Sequence, residues 1–282
     1  MRSKRNLFDI KILKNYASII AGISGIISFI VIFLPWDKFE ESVKYWILGG
    51  IILFYLLIFI IHYYCSVNIK DIELDINGTH LRIMSGDIFS YDDEHLKVIA
   101  FNEYFDTHVG DGIIDAGTLN GIYLNKVVKN IEQLDIDIEQ NAGLSIVGNN
   151  KSRKVGKTKK YQLGSIHKDN DYLLLALTKF DQNNNARVTL SELTDCFLNM
   201  WNEIDRLKGT KKIVLPLLAS GQTTRIGTKG AQIKVTDQEI LELIISTLKI
   251  SRIKITKPAN VTIILYGDKM KNIDLYRIKE MY

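Results

Sequence analysis

Residues 172–218 read YLLLALTKFDQNNNARVTLSELTDCFLNMWNEIDRLKGTKKIVLPLL, and three patterns follow one another within them. YLLLALTKF (172–180) is a short, almost continuous apolar run, as in a strand buried on both faces. After the polar loop DQNNNAR, residues 190–207 place Leu190, Leu193, Phe197, Met200, Trp201, Ile204 and Leu207 on one helical face. That helix opens on Thr189-x-x-Glu192, a capping box. KKIVLPLL (211–218) is a second apolar run of strand length. Outward from this unit, LRIMSGDIF (81–89), KVIAF (97–101) and VTIILYG (261–267) are further strand-like runs. Residues 237–249 form a second amphipathic helix through Ile240, Leu241, Ile244, Ile245 and Leu248, again opened by a capping box, Thr236-x-x-Glu239. Strands alternating with helices predict an α/β domain over 70–282, with a mixed or largely parallel sheet flanked by helices.

The loop inside the opening stretch invites a calcium reading. In FDQNNNARVTLSE (180–192), oxygen-bearing side chains stand at Asp181, Asn183, Asn185 and Thr189, and Glu192 takes the twelfth position of an EF-hand loop. The sixth position, where the loop bends sharply and glycine is needed, is Ala186. YLLLALTKF is a poor entering helix, and Glu192 already has a capping role. The stretch therefore reads as a polar strand-to-helix loop at the carboxyl end of a strand, the edge at which open α/β sheets bind ligands. No metal or cofactor is expected.

The chain has 282 residues, 46% of them hydrophobic, and a formal charge of +4 from 36 Lys and Arg against 32 Asp and Glu. That balance gives no reason to expect a nucleic-acid partner. Two cysteines, Cys65 and Cys196, exclude a disulfide framework and suit a reducing compartment. The apolar residues concentrate in two runs without formal charge, 15–36 and 45–69, each meeting the roughly 20 residues that cross a bilayer. Tyr16, Trp36, Tyr45, Trp46, Tyr63 and Tyr64 mark their ends as an interfacial belt would. Spans are expected at 16–36 and 46–64, joined by an extracytoplasmic loop at 37–45. A cleaved signal peptide with one anchor fits less well, since no A-x-A-like site follows the first run. Residues 1–15 carry Arg2, Lys4, Arg5, Lys11 and Lys14, whereas the connecting loop carries only Lys38 and Lys44. The positive-inside rule then places both termini in the cytoplasm of a two-span protein of the cell membrane, where the sequons at Asn77 and Asn260 would meet no glycosylation machinery. In the first span Ala17, Ala21 and Gly25 recur every four residues beside Ser18 and Gly22. Such a stripe allows close helix approach, within one chain or between chains.

Two nucleotide motifs fail on spacing. GDGIID lacks the third glycine of a dinucleotide fingerprint, since position 115 is Asp115. GNNKSRKVGKT ends like a P-loop at Gly156, Lys157 and Thr158, but its first glycine would fall at Lys151. The basic cluster Lys151, Arg153, Lys154, Lys157, Lys159 and Lys160 reads as a solvated hairpin tip that could also meet anionic lipid heads. Three loops remain that end or follow apolar strands: Gly86-Asp87-Ile88, the segment His108 to Ile114 with Gly110, Asp111, Gly112 and Ile113, and the segment Ala219 to Thr224 with Ser220, Gly221, Gln222 and Thr223. Glycine-rich turns let successive N–H groups gather around a phosphate. The carboxylate of Asp87 suits an amine donor. One such loop alone would be an ordinary tight turn; three at strand ends favour a phosphate-containing ligand.

The order GDI, apolar strand, GDGI, then a late strand entering LPLLASGQTTR resembles the macro domains, which bind ADP-ribose. More narrowly, LRIMSGDIF, VGDGIIDAGTLNGIYL, LTKFDQNNNARVTL and IVLPLLASGQTTR are similar to the macro-type domain of Thoeris anti-phage effectors, one branch of which carries two N-terminal spans. The resemblance covers about residues 72–270. It implies that Asp87 contacts the adenine amino group, that Gly110 and Gly112 lie near the diphosphate and distal ribose, and that Ser220, Gly221 and Gln222 cradle phosphate. Asp181, Asn183, Asn184 and Asn185 would close over the far end. Hydrolytic macro domains carry Asn-Ala-Ala-Asn before the first loop, whereas this chain has Phe101-Asn102-Glu103-Tyr104, with Asn102 in a related place. The departure bears on catalysis more than on binding. The resemblance implies a membrane-anchored, ligand-sensing effector rather than an enzyme. Its signal would be an ADP-ribose-derived nucleotide, a histidine adduct in related systems, made by a partner TIR protein, and it would oligomerise and disrupt the bilayer. Two other readings are a tethered ADP-ribose hydrolase, for which His108 is the histidine to test, and a calcium-responsive membrane protein.

Overall fold

The computed structural model describes residues 10–181, 184–220, 224–226, 235–256 and 259–282. The chain divides into two compact units, residues 1–70 and 71–282. The first holds two helices, α1 (Ile10–Ile32) and α2 (Glu41–Val67), both long and apolar enough to cross a membrane. At 1.5 Å per residue they extend about 35 and 40 Å. They meet along one seam: Tyr16 donates to the Tyr55 carbonyl at 2.8 Å, Ser24 and Tyr55 share a hydroxyl bond of 2.7 Å, and the Tyr16 and Phe59 rings meet edge-on. Ala17, Ser18, Ala21, Gly22 and Gly25 are exposed, and a Cβ added at Gly22 or Gly25 would meet nothing within 4 Å. The small-residue stripe is therefore not what packs α1 against α2.

The second unit runs β1 (Asp71–Ile76), β2 (Thr79–Ser85), β3 (His95–Asn102), α3 (Leu119–Lys126), α4 (Ile131–Gln140), β4 (Ile146–Asn149), β5 (Lys159–Tyr161), β6 (Ile166–Asp169), β7 (Tyr172–Phe180), β8 (Ala186–Thr189), α5 (Leu190–Leu207), β9 (Lys212–Pro216), β10 (Thr224–Ile226), α6 (Asp237–Ser251), β11 (Val261–Leu265) and α7 (Leu275–Met281). The five strands expected from apolar runs are β2, β3, β7, β9 and β11. They form the parallel centre of the sheet in the order β2-β11-β9-β3-β7. Antiparallel β1 flanks β2, while β6 and then β8 cover the outer edge of β7, with β10 parallel to β8.

Alternate residues of the central strands face opposite sides. Ile99, Phe101, Leu174, Ala176, Val214 and Ile264 join a core with Tyr123, Leu124, Leu134 and Ile138 of α3 and α4. On the helical pair α5 and α6, Phe197, Met200, Trp201, Ile240, Ile244 and Leu248 are fully buried, and Trp201 donates to Thr247 at 3.1 Å. Each such side chain contributes roughly 1.5–3 kcal/mol of transfer free energy. Both expected capping boxes form, with Glu192 reaching the Thr189 backbone N–H and Glu239 that of Thr236.

The basic cluster departs from expectation. β4 and β5 do make a hairpin, but three of the six cations turn inward. Arg153 pairs with Asp106, Lys157 reaches Asp135 and the Phe105 carbonyl, and Lys160 lies 3.3 Å from Glu103. The acidic partners are buried or half-buried and draw the cations out of water, which a reading of the hairpin alone misses.

Candidate functional site

The carboxyl ends of the five parallel strands open into one cleft of about 1090 Å³, just above the ~300–1,000 Å³ usual for small-molecule sites. Five strands have four gaps of about 4.8 Å, so the loops that follow β2 and β7 lie about 19 Å apart across it. Asp87 and Phe89 come from the loop after β2. Tyr266 and Lys269 follow β11, and Leu217 to Ser220 follow β9. Asn102 ends β3 and the Gly110 turn follows it; Phe180 ends β7, and Asn184 and Asn185 follow.

Asp87 caps a single 3-10 turn, Ile88–Ser90, and its Oδ1 accepts from the Phe89 N–H at 3.0 Å. The carboxylate is thus fixed and exposed at the cleft wall, while Ile88, 3% exposed, joins the core beneath and also lines the cleft. The turn from Gly110 to Gly112 has three successive positive φ angles, 113°, 48° and 73°, and is closed by Gly110 N–H to the Ile114 carbonyl and Ile113 N–H to the Gly110 carbonyl. Glycine at 110 and 112 removes the Cβ strain of that conformation. Gly110, Gly112 and Ile113 line the cleft; Asp111 does not. Its carboxylate turns out to solvent, 2.9 Å from His108 Nε2, so neither Asp111 nor His108 faces the cleft.

Ser220 lines the cleft beside Ala219, whose φ is 55°. Its hydroxyl donates to the Leu217 carbonyl, and its own carbonyl accepts from Lys269 Nζ at 2.6 Å. Gly221, Gln222 and Thr223 lie outside the described residues, as does Asn183. Asn102 borders the cleft with its side-chain amide engaged inward: Oδ1 accepts from the Tyr104 and Asp106 N–H groups, and Nδ2 donates to Asp106. It shapes the turn after β3, where the register with β7 shifts by a bulge. Asp181 makes a turn with Asn185 N–H at 3.0 Å and an ion pair with Arg187 at 2.6 Å, and it does not line the cleft. Its carboxylate is held by its own loop, which leaves Asn184 and Asn185 as the described cleft residues of that segment.

Several lining residues escaped the sequence reading: Asp115 to Asn120 at the start of α3, Lys126, Tyr266 and Lys269. Tyr266 directly follows β11 within the run VTIILYG, so the rule that ligands gather at strand ends would have found it. Lys269 is anchored 3.2 Å from both carboxylate oxygens of Asp237 and so places a cation beside the Ser220 turn. Asp115 accepts from the Gly117 N–H at 2.7 Å, which ties it into the capping of α3. Among the described residues that line the cleft there is no histidine and no cysteine.

The model of the family "Thoeris protein ThsA, Macro domain" matches residues 81–266, which takes in the whole parallel sheet and every described loop of the cleft except Lys269. Over 266 residues the chain is 39% identical to the Thoeris protein ThsA of Bacillus amyloliquefaciens (strain Y2), covering 93% of this chain and 87% of that protein. Two solved structures of the Oceanobacillus iheyensis macrodomain, one of a mutant and one with ADP, each cover 76% of this chain, and 97% and 96% of their own. Both align with a TM-score of 0.45, at 13% and 12% identity. On the family match and the extent of the bacillar relative, the chain belongs to the Thoeris ThsA macro-domain family.

Proposed function

We propose that the cleft holds an ADP-ribose-type nucleotide, and that this chain is a membrane-anchored anti-phage effector which senses it. The order of chemistries along the cleft carries the reading. A fixed carboxylate, Asp87, and the Phe89 ring stand at one end, where an exocyclic amine and a flat base would be met. Two positive-φ turns and the Lys269 ammonium occupy the middle, where a diphosphate would lie. Amides stand at the far end, suited to a sugar or its adduct. Base, diphosphate and distal ribose follow in that order in ADP-ribose.

Sensing is favoured over hydrolysis because Asn102, which stands where hydrolytic macro domains carry Asn-Ala-Ala-Asn, has its amide engaged inward with Tyr104 and Asp106, and His108 is turned away. The signal would come from a TIR-domain partner acting through the ligand alone, with the histidine adduct of ADP-ribose as the leading candidate. Ligand binding must favour an assembled state over the resting one to have any effect. The exposed small-residue face of α1 supports assembly between chains in the membrane, and bilayer disruption would follow. Calorimetry on the full chain in detergent, with ADP-ribose and then its histidine adduct, tests the reading. Tight binding with the ligand recovered intact supports a sensor; a recovered hydrolysis product moves the assignment to the hydrolase; no binding of either removes the nucleotide reading.

A further inference from the structure

Behind the far end of the cleft lies a buried polar cluster that the ligand reading does not use. The side chain of Arg153, in the turn between β4 and β5, is 5% exposed, and that of Asp106, after β3, is 1% exposed. All five N–H donors of the guanidinium are engaged. Nη1 donates to Asp106 Oδ1 at 3.0 Å and to the Lys157 carbonyl at 2.7 Å. Nη2 donates to Asp106 Oδ2 at 2.6 Å and to Asn184 Oδ1 at 3.0 Å, and Nε reaches the same Asn184 oxygen at 3.2 Å. The guanidinium carbon sits 4.0 Å from the centre of the Tyr104 ring. Gly156, at φ +92°, closes the turn: a Cβ there would come within 2.7 Å of both Arg153 Nη1 and Asp106 Oδ1.

The two bonds to Asn184 decide how its amide is turned. Arginine offers donors only, so the atom that faces it is the carbonyl oxygen. Nδ2 is thereby directed away from the guanidinium, on a residue that lines the cleft, and it has no acceptor among the described residues. The geometry points to Arg153 as a positioning residue for ligand selection. Through Asn184 it presents a hydrogen-bond donor at the far end of the cleft, so the terminal group of the ligand is one that offers an acceptor there. This inference rests on the ADP-ribose reading of the cleft. Lysine could not replace the arginine, because a single ammonium cannot hold Asp106 and Asn184 together in one plane.

The test compares ADP with ADP-ribose, which adds the distal ribose to the β-phosphate, by calorimetry on the full chain in detergent. Asn184→Asp keeps an oxygen for Arg153 and removes the donor. It should lower the advantage of ADP-ribose over ADP at least fivefold, with ADP affinity within twofold of the parent and an unchanged thermal midpoint. Arg153→Lys should lower the same ratio and spare ADP. A purely structural Arg153 would weaken both nucleotides together or neither, and that result overturns the proposal. So does an Asn184→Asp protein that binds ADP-ribose like the parent. A parent that binds ADP and ADP-ribose equally refutes the far-end inference and leaves the base and diphosphate reading standing. A parent that binds neither removes that reading and this inference with it.

Discussion

At the Asp87 end of the cleft the polar group is held by its own neighbours: the carboxylate accepts from Phe89 two residues on, and Ser90 bonds the Asp87 carbonyl. At the Asn184 end the amide is held by Arg153, 31 residues away in sequence, and Arg153 by Asp106, 47 residues away. The first arrangement is a turn that happens to border a cleft. The second is part of what holds the β4–β5 hairpin to the sheet. The difference teaches that loss of the near end should cost binding alone, while loss of the Arg153–Asp106 pair behind the far end should cost the fold as well.

The sharpest break comes at Asp106. Asp106→Ala leaves the buried Arg153 charge uncompensated, and breaking such a pair costs about 3–5 kcal/mol. Denaturant unfolding should show a loss of that size; a loss below about 1 kcal/mol would uncouple the far end from the fold. Asp87→Lys comes next. It should weaken ADP-ribose about 100-fold, or about 2.7 kcal/mol, with stability changed by no more than the ~1 kcal/mol of a lost cap. An unfolded Asp87→Lys protein would erase the contrast between the ends. Thr189→Ala removes the capping box that anchors the exit of the 181–189 segment into α5, and about 1 kcal/mol should be lost. If that loss lowers ADP-ribose binding but spares ADP, the far end depends on this anchor too.

The amino-terminal edge of the strands, away from the cleft, serves as the control. His167 on β6 is 5% exposed, with Nδ1 2.9 Å from Asn141 Nδ2. Burial drives its pKa below the ordinary imidazole value, against the pull of Asp169 and Asp137. The unfolded chain then binds the proton more readily, so stability rises with pH up to the unfolded value of about 6.5 and is lost as pH falls below it. His167→Gln should flatten that slope and leave nucleotide affinity unchanged. A change in affinity would mean that the two edges of the strands are coupled.

The same contrast explains what the sequence discloses. The five central strands are legible because strands buried on both faces must be apolar throughout, as YLLLALTKF and VTIIL are. The short β4, β5, β6, β8 and β10 carry three or four residues each, too few for a pattern. β1, with its alternating burial in DIELDI, is the missed strand that its period would have revealed. Of the site, Asp87, Gly110, Gly112 and Ser220 are legible because turn chemistry is local. Asp111 and Asp181 stand outside the cleft lining because the partners of a carboxylate, His108 and Arg187, decide where it points. Arg153 reads as one more cation in a basic run, since nothing near it in sequence announces Asp106.

The sheet order has a consequence for synthesis. β11 lies between β2 and β9, with Val261 in register with Leu81. At about 5–20 residues per second, roughly 10–40 s separate the translation of these two partners. During that time the apolar helices α1 and α2 have already left the ribosome, while β2 lacks its parallel neighbour and the Asp87 end of the cleft lacks a wall. A newly made chain therefore exposes its two membrane-length helices before its cleft is complete. The wall beside Asp87 forms only once β11 has been made.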